Sequence, residues 1–156
     1  MKSFFKKAWV MKLGINIWPP FLLAGIHIKH LSADYKQARV ELTLRPWNKN
    51  AVGTHFGGSL YAMTDPFYML MILAQLGDQY IVWDKSADID YLKPGKGKVY
   101  AEFAVNHALI EEIKAQTASG EKYLPELAVY IKDAQGDIVA KVNRTLYIRR
   151  KKRFRE

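Results

Sequence analysis

The sequence predicts an α+β domain: a strongly curved antiparallel sheet of about six strands wrapped around a central helix, with a further helix at the N-terminus. Three observations point there. Four stretches alternate apolar and polar residues with period two. A segment over residues 57–77 is apolar on nearly every side, so it has to be covered almost all round. The connections between these elements are mostly short.

The chain opens "MKSFFKKAWVMKLGINIWPPFLLAGI", where Phe4, Phe5, Ala8, Trp9, Leu13 and Ile15 fit one face of a short helix whose other face is basic. Such a helix is expected to pack on its own domain, with contact to a membrane surface as the lesser alternative. Lysines interrupt the stretch until Lys12, and Pro19-Pro20 then break the apolar run, so it does not read as an export signal. Residues 1–20 are read as an N-terminal helical extension of one domain spanning 1–156.

Residues 24–31 are the first expected strand. In "ARVELTLR", Val40, Leu42 and Leu44 oppose Arg39, Glu41, Thr43 and Arg45, the pattern of a half-buried strand. Residues 80–92 are another strand, and "KVYAEFAV" repeats the alternation through Val99, Ala101, Phe103 and Val105. "NHALIEEIKAQTASG" is helical, with Leu109, Ile110 and Ile113 at helical spacing and Gly120 as a stop. The last two strands place Leu127, Val129 and Ile131, then Ile138, Ala140 and Val142, inward, joined by a hairpin turn from Asp133 to Asp137 that contains Gly136. If the alternation continues unbroken, Arg144 faces inward with Leu146 and Ile148; a bulge would turn it outward.

A chain of 156 residues with 49% hydrophobic content can bury a core of its own. It has no cysteine, which excludes disulfides, thiol nucleophiles and cysteine-ligated zinc and makes a reducing cytoplasm the expected compartment. The formal charge of +9 collects at the two ends, including a basic tail over residues 149–156. A solvated tail is the leading reading, ahead of an anionic membrane surface or a polyanionic small molecule. Nucleic acid is not expected, because the tail lacks interleaved aromatics. The apolar run Phe67–Leu76 is far shorter than a bilayer span of roughly 20 residues.

The chemistry centres on "GTHFGGSLYAMTDPF", residues 53–67. A helix starting near Gly57-Gly58 leaves backbone N–H groups without intrahelical acceptors, able to polarise a carbonyl or hold an anion. Pro66 should kink or restart the helix, so Asp65 is either the N-cap of the restarted helix or a functional carboxylate. A functional Asp65 in an apolar setting needs a polar or cationic neighbour to stay charged. His27, His30, His55 and His107 are scattered with no zinc-binding spacing, so no metal site is expected. His55 reads as a loop histidine, with ligand contact as the lesser alternative. No nucleophile elbow, phosphate loop or dinucleotide fingerprint is present. Trp47, Trp83, Tyr61 and Tyr68 could line an acyl or aromatic pocket, although core packing is the commoner use of such residues.

The arrangement "NAVGTHFGGSLYAMTD" resembles the signature of hotdog-fold thioesterases, especially the phenylacetyl-CoA type, through Asn50, Gly53, Gly57, Gly58 and Asp65. Phe56 stands where that family has its histidine, and His55 lies one residue early. The strand–turn–strand "IDYLKPGKGKVYAEFAV" and the closing hairpin "VYIKDAQGDIVAKVNRTLYI" extend the likeness, which is nearest to the YiiD carboxy-terminal-type thioesterases. The resemblance implies an acyl-CoA thioesterase working as a homodimer or dimer of dimers, with no cofactor beyond the coenzyme A of its substrate. It implies that the N–H of Gly58, with Gly57, polarises the thioester carbonyl, that Asp65 reaches across a dimer interface as base or nucleophile, and that Asn50 positions substrate or water. His55, Phe56 and Ser59 would contact substrate, and Lys93, Lys96 and Lys98 would meet the phosphates of coenzyme A. A noncatalytic acyl-CoA or fatty-acyl binding protein is the alternative.

Overall fold

The computed structural model describes residues 7–154. Its elements run α1 (Ala8–Ile17), α2 (Pro19–Ala24), β1 (Ile26–Leu31), β2 (Gln37–Thr43), α3 (Gly57–Ala62), α4 (Phe67–Leu76), β3 (Tyr80–Tyr91), β4 (Lys98–Ala104), α5 (His107–Gln116), β5 (Glu126–Asp133) and β6 (Ile138–Arg150). The six strands form one sheet in the order β1-β2-β4-β5-β6-β3, with every neighbouring pair antiparallel. The four period-two segments of the sequence are β2, β4, β5 and β6, because alternation gives each one an apolar face to lay on the helical layer.

That layer is the segment over residues 57–77, broken in two. The break falls at Met63–Pro66, as a proline without an N–H requires, and the Asp65–Pro66 peptide bond is cis. Phe67, Met71 and Ile72 of α4 are fully buried. An aromatic column ties α2 through α4 to the sheet: Phe21 lies 6.2 Å from Phe67, Phe67 lies 4.9 Å from Phe103, and Tyr68 meets Phe103 edge-on at 5.2 Å. Tyr68 also donates its hydroxyl to the carbonyl of Ala128 on β5. It is therefore a core residue.

Two positions depart from the alternation. Ile138 is exposed, not inward, because Val139 is an extra residue in β6: Lys132 pairs with Ile138 while Ile131 pairs with Ala140, so Val139 is the buried one. In β3 the bulge lies between Asp84 and Ser86, so Tyr80, Val82 and Asp84 share the inner face before it and Ala87 and Ile89 after it.

The N-terminal helix also sits differently from expectation. Ala8, Met11 and Ile15 face β1, whereas Trp9 and Leu13 point to water. Phe4 and Phe5 lie outside the described residues. Pro19 and Pro20 do not merely end α1; they occupy the first turn of α2, where a missing N–H costs nothing. Gly25 then closes α2 at φ +80°, and an added Cβ there would stand 3.0 Å from the carbonyl oxygen of Thr43.

The edge strand β1 is guarded by α1. Asn16 accepts the N–H of Ile28 at 2.7 Å and donates to the Ile28 carbonyl at 3.2 Å, so its amide imitates a neighbouring strand. Asn16→Ala strips both bonds, and urea unfolding is expected to show a loss of about 1–2 kcal/mol.

Candidate active site

The glycine turn is built by Asn50. Its side chain donates to Thr54 Oγ1 at 2.8 Å and to the carbonyl of His55 at 3.1 Å, while its oxygen accepts the N–H groups of Val52 and Thr54. Its polar capacity is thus engaged in shaping residues 50–55. Gly53 completes the loop at φ +80°, a conformation natural to glycine.

His55 anchors this loop to the next. It is 3% exposed, its N–H donates to the carbonyl of Gly95, and its Nε2 lies 3.0 Å from the carbonyl oxygen of Gly97. A carbonyl only accepts, so Nε2 carries the hydrogen, and the buried Nδ1 is left without a partner. Burial holds the imidazole pKa below its ordinary 6.5, opposed by the bond to Gly97. The unfolded chain therefore binds this proton more readily than the folded one. The resulting stabilisation is complete above pH 6.5 and is lost as pH falls from there toward the lower folded value. Urea midpoints of the wild type should fall from about pH 7.5 to about pH 5.5, and His55→Gln should flatten that decline.

α3 follows directly. Its first hydrogen bonds are donated by Ser59 and Leu60 to the carbonyl of Phe56, so the N–H groups of Gly57 and Gly58 precede the helical ladder. Both glycines line a cleft of about 580 Å³ together with Asn50, His55, Phe56, Tyr91 and the turn Lys93–Gly95. A side chain on Gly57 would press on the Tyr91 ring, and one on Gly58 would press on the ring of Phe56. Phe56, 58% exposed, is an apolar wall of that cleft. Ser59 and Asp65 do not line it.

Asp65 lies at the break between α3 and α4, with its side chain 52% exposed. It does not cap the restarted helix: Pro66 is the residue that precedes α4, and no side chain caps it. Its carboxylate is instead held by Arg144, whose Nη1 donates to Asp65 Oδ1 at 3.1 Å. The alternation along β6 runs unbroken through Val142, Arg144, Leu146 and Ile148, so Arg144 points inward and is 1% exposed. The same Nη1 donates to Asp84 Oδ1 at 3.2 Å, and Nη2 donates to Thr64 Oγ1 at 3.1 Å. The guanidinium also sits 5.0 Å above the ring of Tyr61.

Arg144 is a buried cation shared by two carboxylates, the half-exposed Asp65 and the more buried Asp84. The two acids on it are not equivalent. Asp84 holds its proton above the ordinary 3.8, chiefly because it is buried, with the charge of Asp65 adding and Arg144 opposing. Sequence reading missed Thr64 and Asp84 altogether. Asp84 was detectable, since it continues the inward phase of Tyr80 and Val82. Thr64 carries no periodic signal.

The lysines are divided. Lys93 is paired with Asp133 at 2.7 Å and Asp137 at 2.8 Å, and these bonds raise its pKa. Lys98 pairs with Glu41 at 3.2 Å. Lys96 is exposed on the turn between them. Of the aromatic candidates, Trp47 is open to water, and Trp83 stacks on Tyr147 at 4.2 Å across the β3–β6 pair.

Solved structures share this fold. A probable thioesterase from Pseudomonas aeruginosa superposes with a TM-score of 0.79 at 16% identity, covering 90% of this chain and 96% of that one. A thioesterase from Haemophilus influenzae gives 0.68 at 14% identity, covering 92% and 90%. A mutant of the phenylacetic acid degradation protein PaaI from Thermus thermophilus gives 0.59 at 22% identity, covering 83% and 98%. No curated protein matches the chain by sequence. The architecture is therefore that of the hotdog fold. Residues 6–148 match the model of a domain of unknown function, DUF4442, and the chain belongs to that family.

Proposed function

We propose that this protein is a thioesterase that hydrolyses an acyl-CoA or related thioester and works as a homodimer or dimer of dimers. The observation that carries the reading is Asp65: a half-exposed carboxylate fastened from beneath by a buried arginine, seven residues beyond a glycine pair that lines an open cleft. A cap would not need that arginine.

In the reaction, the N–H of Gly58, with Gly57, polarises the thioester carbonyl, and negative charge grows on its oxygen as attack proceeds. Loss of one such donor costs ~3 kcal/mol of barrier in acyl transfer. Asp65 takes a proton from water as its oxygen bonds to the carbonyl carbon, or adds to that carbon itself. In the water route the C–S bond then breaks, and the proton leaves with the thiolate. In the direct route the C–S bond breaks to release the thiolate and leave an anhydride with Asp65, which water hydrolyses to the free acid and the regenerated carboxylate. Because Asp65 lies outside the cleft of its own chain, we pair the glycine turn of one protomer with the Asp65 of another. The edge strand β3, with β6 on one side and no neighbour on the other among the described residues, is the seam we assign to that pairing.

Asn50 acts in this scheme by shaping the loop before the glycines, and His55 by locking it to residues 95–97. Phe56, in the place of the family histidine, favours an apolar acyl or aryl group beside the reacting carbon. Lys96 is the lysine we assign to the phosphates of coenzyme A, since Lys93 and Lys98 are engaged in ion pairs. The scheme needs no cofactor beyond the coenzyme A of the substrate. No helix among the described residues is long and apolar enough to cross a membrane, and we place the protein in the cytoplasm.

The test is release of free thiol from a panel of short, long and aromatic acyl-CoAs, with solution mass measured in parallel. Turnover on one class by an oligomer is the expected result. Acyl-CoA binding with no turnover across the panel would make the protein a binding module, the reading that the loss of the family histidine to Phe56 favours.

A further inference from the structure

We propose that the face formed by α1 and α2 docks on an anionic phospholipid surface. Down α1, Trp9, Leu13 and Ile17 recur every four residues and so share one stripe, away from Ala8, Met11 and Ile15, which are buried. All three are more than half exposed. The stripe runs on into Trp18, and α2 adds Leu22 and Leu23, both open to water. Single apolar residues scattered on a surface need no explanation, but six within residues 9–23 form a patch that a folded domain does not leave wet without a partner.

Charge selects that partner. Residues 1–33 carry Lys2, Lys6, Lys7, Lys12 and Lys29 and no carboxylate at all. Lys12 donates its ammonium to the Lys29 carbonyl at 2.8 Å, while Lys7 and Lys29 are exposed. A second copy of this chain docking face to face would set lysine against lysine. A peptide would need a groove, whereas the outer side of a helix whose inner side lies on β1 is a ridge.

A ridge with a tryptophan at each end, aliphatic residues between and lysines alongside matches a helix lying in the plane of a bilayer interface. There the indoles sit at the polar boundary, the aliphatic side chains reach the acyl region and the ammonium groups meet lipid phosphates. Pro19-Pro20 restart the chain as α2, so the contact is broader than α1 alone would allow. The docking does not depend on the reaction assigned to the cleft.

The experiment is co-sedimentation of the full chain with vesicles of phosphatidylcholine alone and with about 30 mol% phosphatidylglycerol. Binding to the anionic vesicles should exceed binding to the neutral ones at least about 10-fold, weaken with salt and shift tryptophan emission to the blue. The variant Trp9→Ser/Leu13→Ser/Ile17→Ser should lose at least about 10-fold of that binding. Its circular dichroism and Tm should hold, since the stripe touches water. Lys7→Glu/Lys29→Glu keeps the stripe and should lose the preference for anionic lipid.

Absence of binding to either vesicle would overturn the proposal, as would binding that survives both variants. Binding lost only in Lys151→Ala/Lys152→Ala/Arg153→Ala would move the contact to the C-terminal tail and overturn it too. So would a stripe variant that turns an oligomer into a monomer while the wild type ignores vesicles, because the occupant would then be a second copy.

Discussion

Asp65→Asn is expected to lower kcat for thioester hydrolysis by at least about 100-fold, the scale of losing a positioned proton acceptor or nucleophile. Acyl-CoA affinity should change little, because the amide keeps the size and one oxygen of the carboxylate. The fold should survive as well. Asp65 is half exposed, and Arg144 retains Asp84 at 3.2 Å and Thr64 at 3.1 Å when it is neutralised. Stability is therefore expected to move by less than about 1 kcal/mol, the range of an exposed ion pair. Thiol release measured beside urea unfolding and solution mass separates the roles. Lost turnover in a folded oligomer supports the catalyst; equal turnover in both proteins removes Asp65 from the chemistry.

Arg144→Ala should be the most destabilising single change in the site, at about 3–5 kcal/mol. The deletion opens a hole at a fully buried position, strands the largely buried Asp84 without its counter-charge and leaves the Thr64 hydroxyl without its donor. A double-mutant cycle with Asp84→Asn checks the cause. Removing the Asp84 charge in the Arg144→Ala background should recover part of the loss, because the stranded carboxylate is the costly element. A cycle without coupling would mean that the cavity alone sets the cost.

Much of the fold was legible because strands and helices announce themselves by period. Four of the six strands lie where alternation put them, the other two lie within or close to the expected 24–31 and 80–92, and the apolar run at 57–77 is the layer they cover. The failures were local. Ile138 reads as inward, yet one inserted residue, Val139, reverses its side. Trp9 and Leu13 fit a broad apolar arc with Ala8, yet packing against β1 selects the narrower Ala8–Met11–Ile15 stripe. The same limit governs the site. Asp65 and the glycine pair stand out because proline and glycine punctuate the chain visibly. Asp84 continues the inward phase of Tyr80 and Val82 and so was open to detection, but nothing in the strand says that its partner is Arg144, 60 positions away.

By itself, the sequence determined the class of fold, the approximate places of the strands, the helix break at Pro66 and the candidacy of Gly57, Gly58 and Asp65, since each rests on residue type and near-neighbour spacing. The expected strand 24–31 starts only at Ile26, and the one through Arg45 stops at Thr43. Only the tertiary structure decided that Arg144 turns inward, that it grips Asp65 with Asp84 and Thr64, and that Lys93 and Lys98 are engaged in ion pairs. Those outcomes depend on contacts between residues as many as 80 positions apart. No local pattern encodes which of several inward-facing groups will meet once the sheet has curved around its helix.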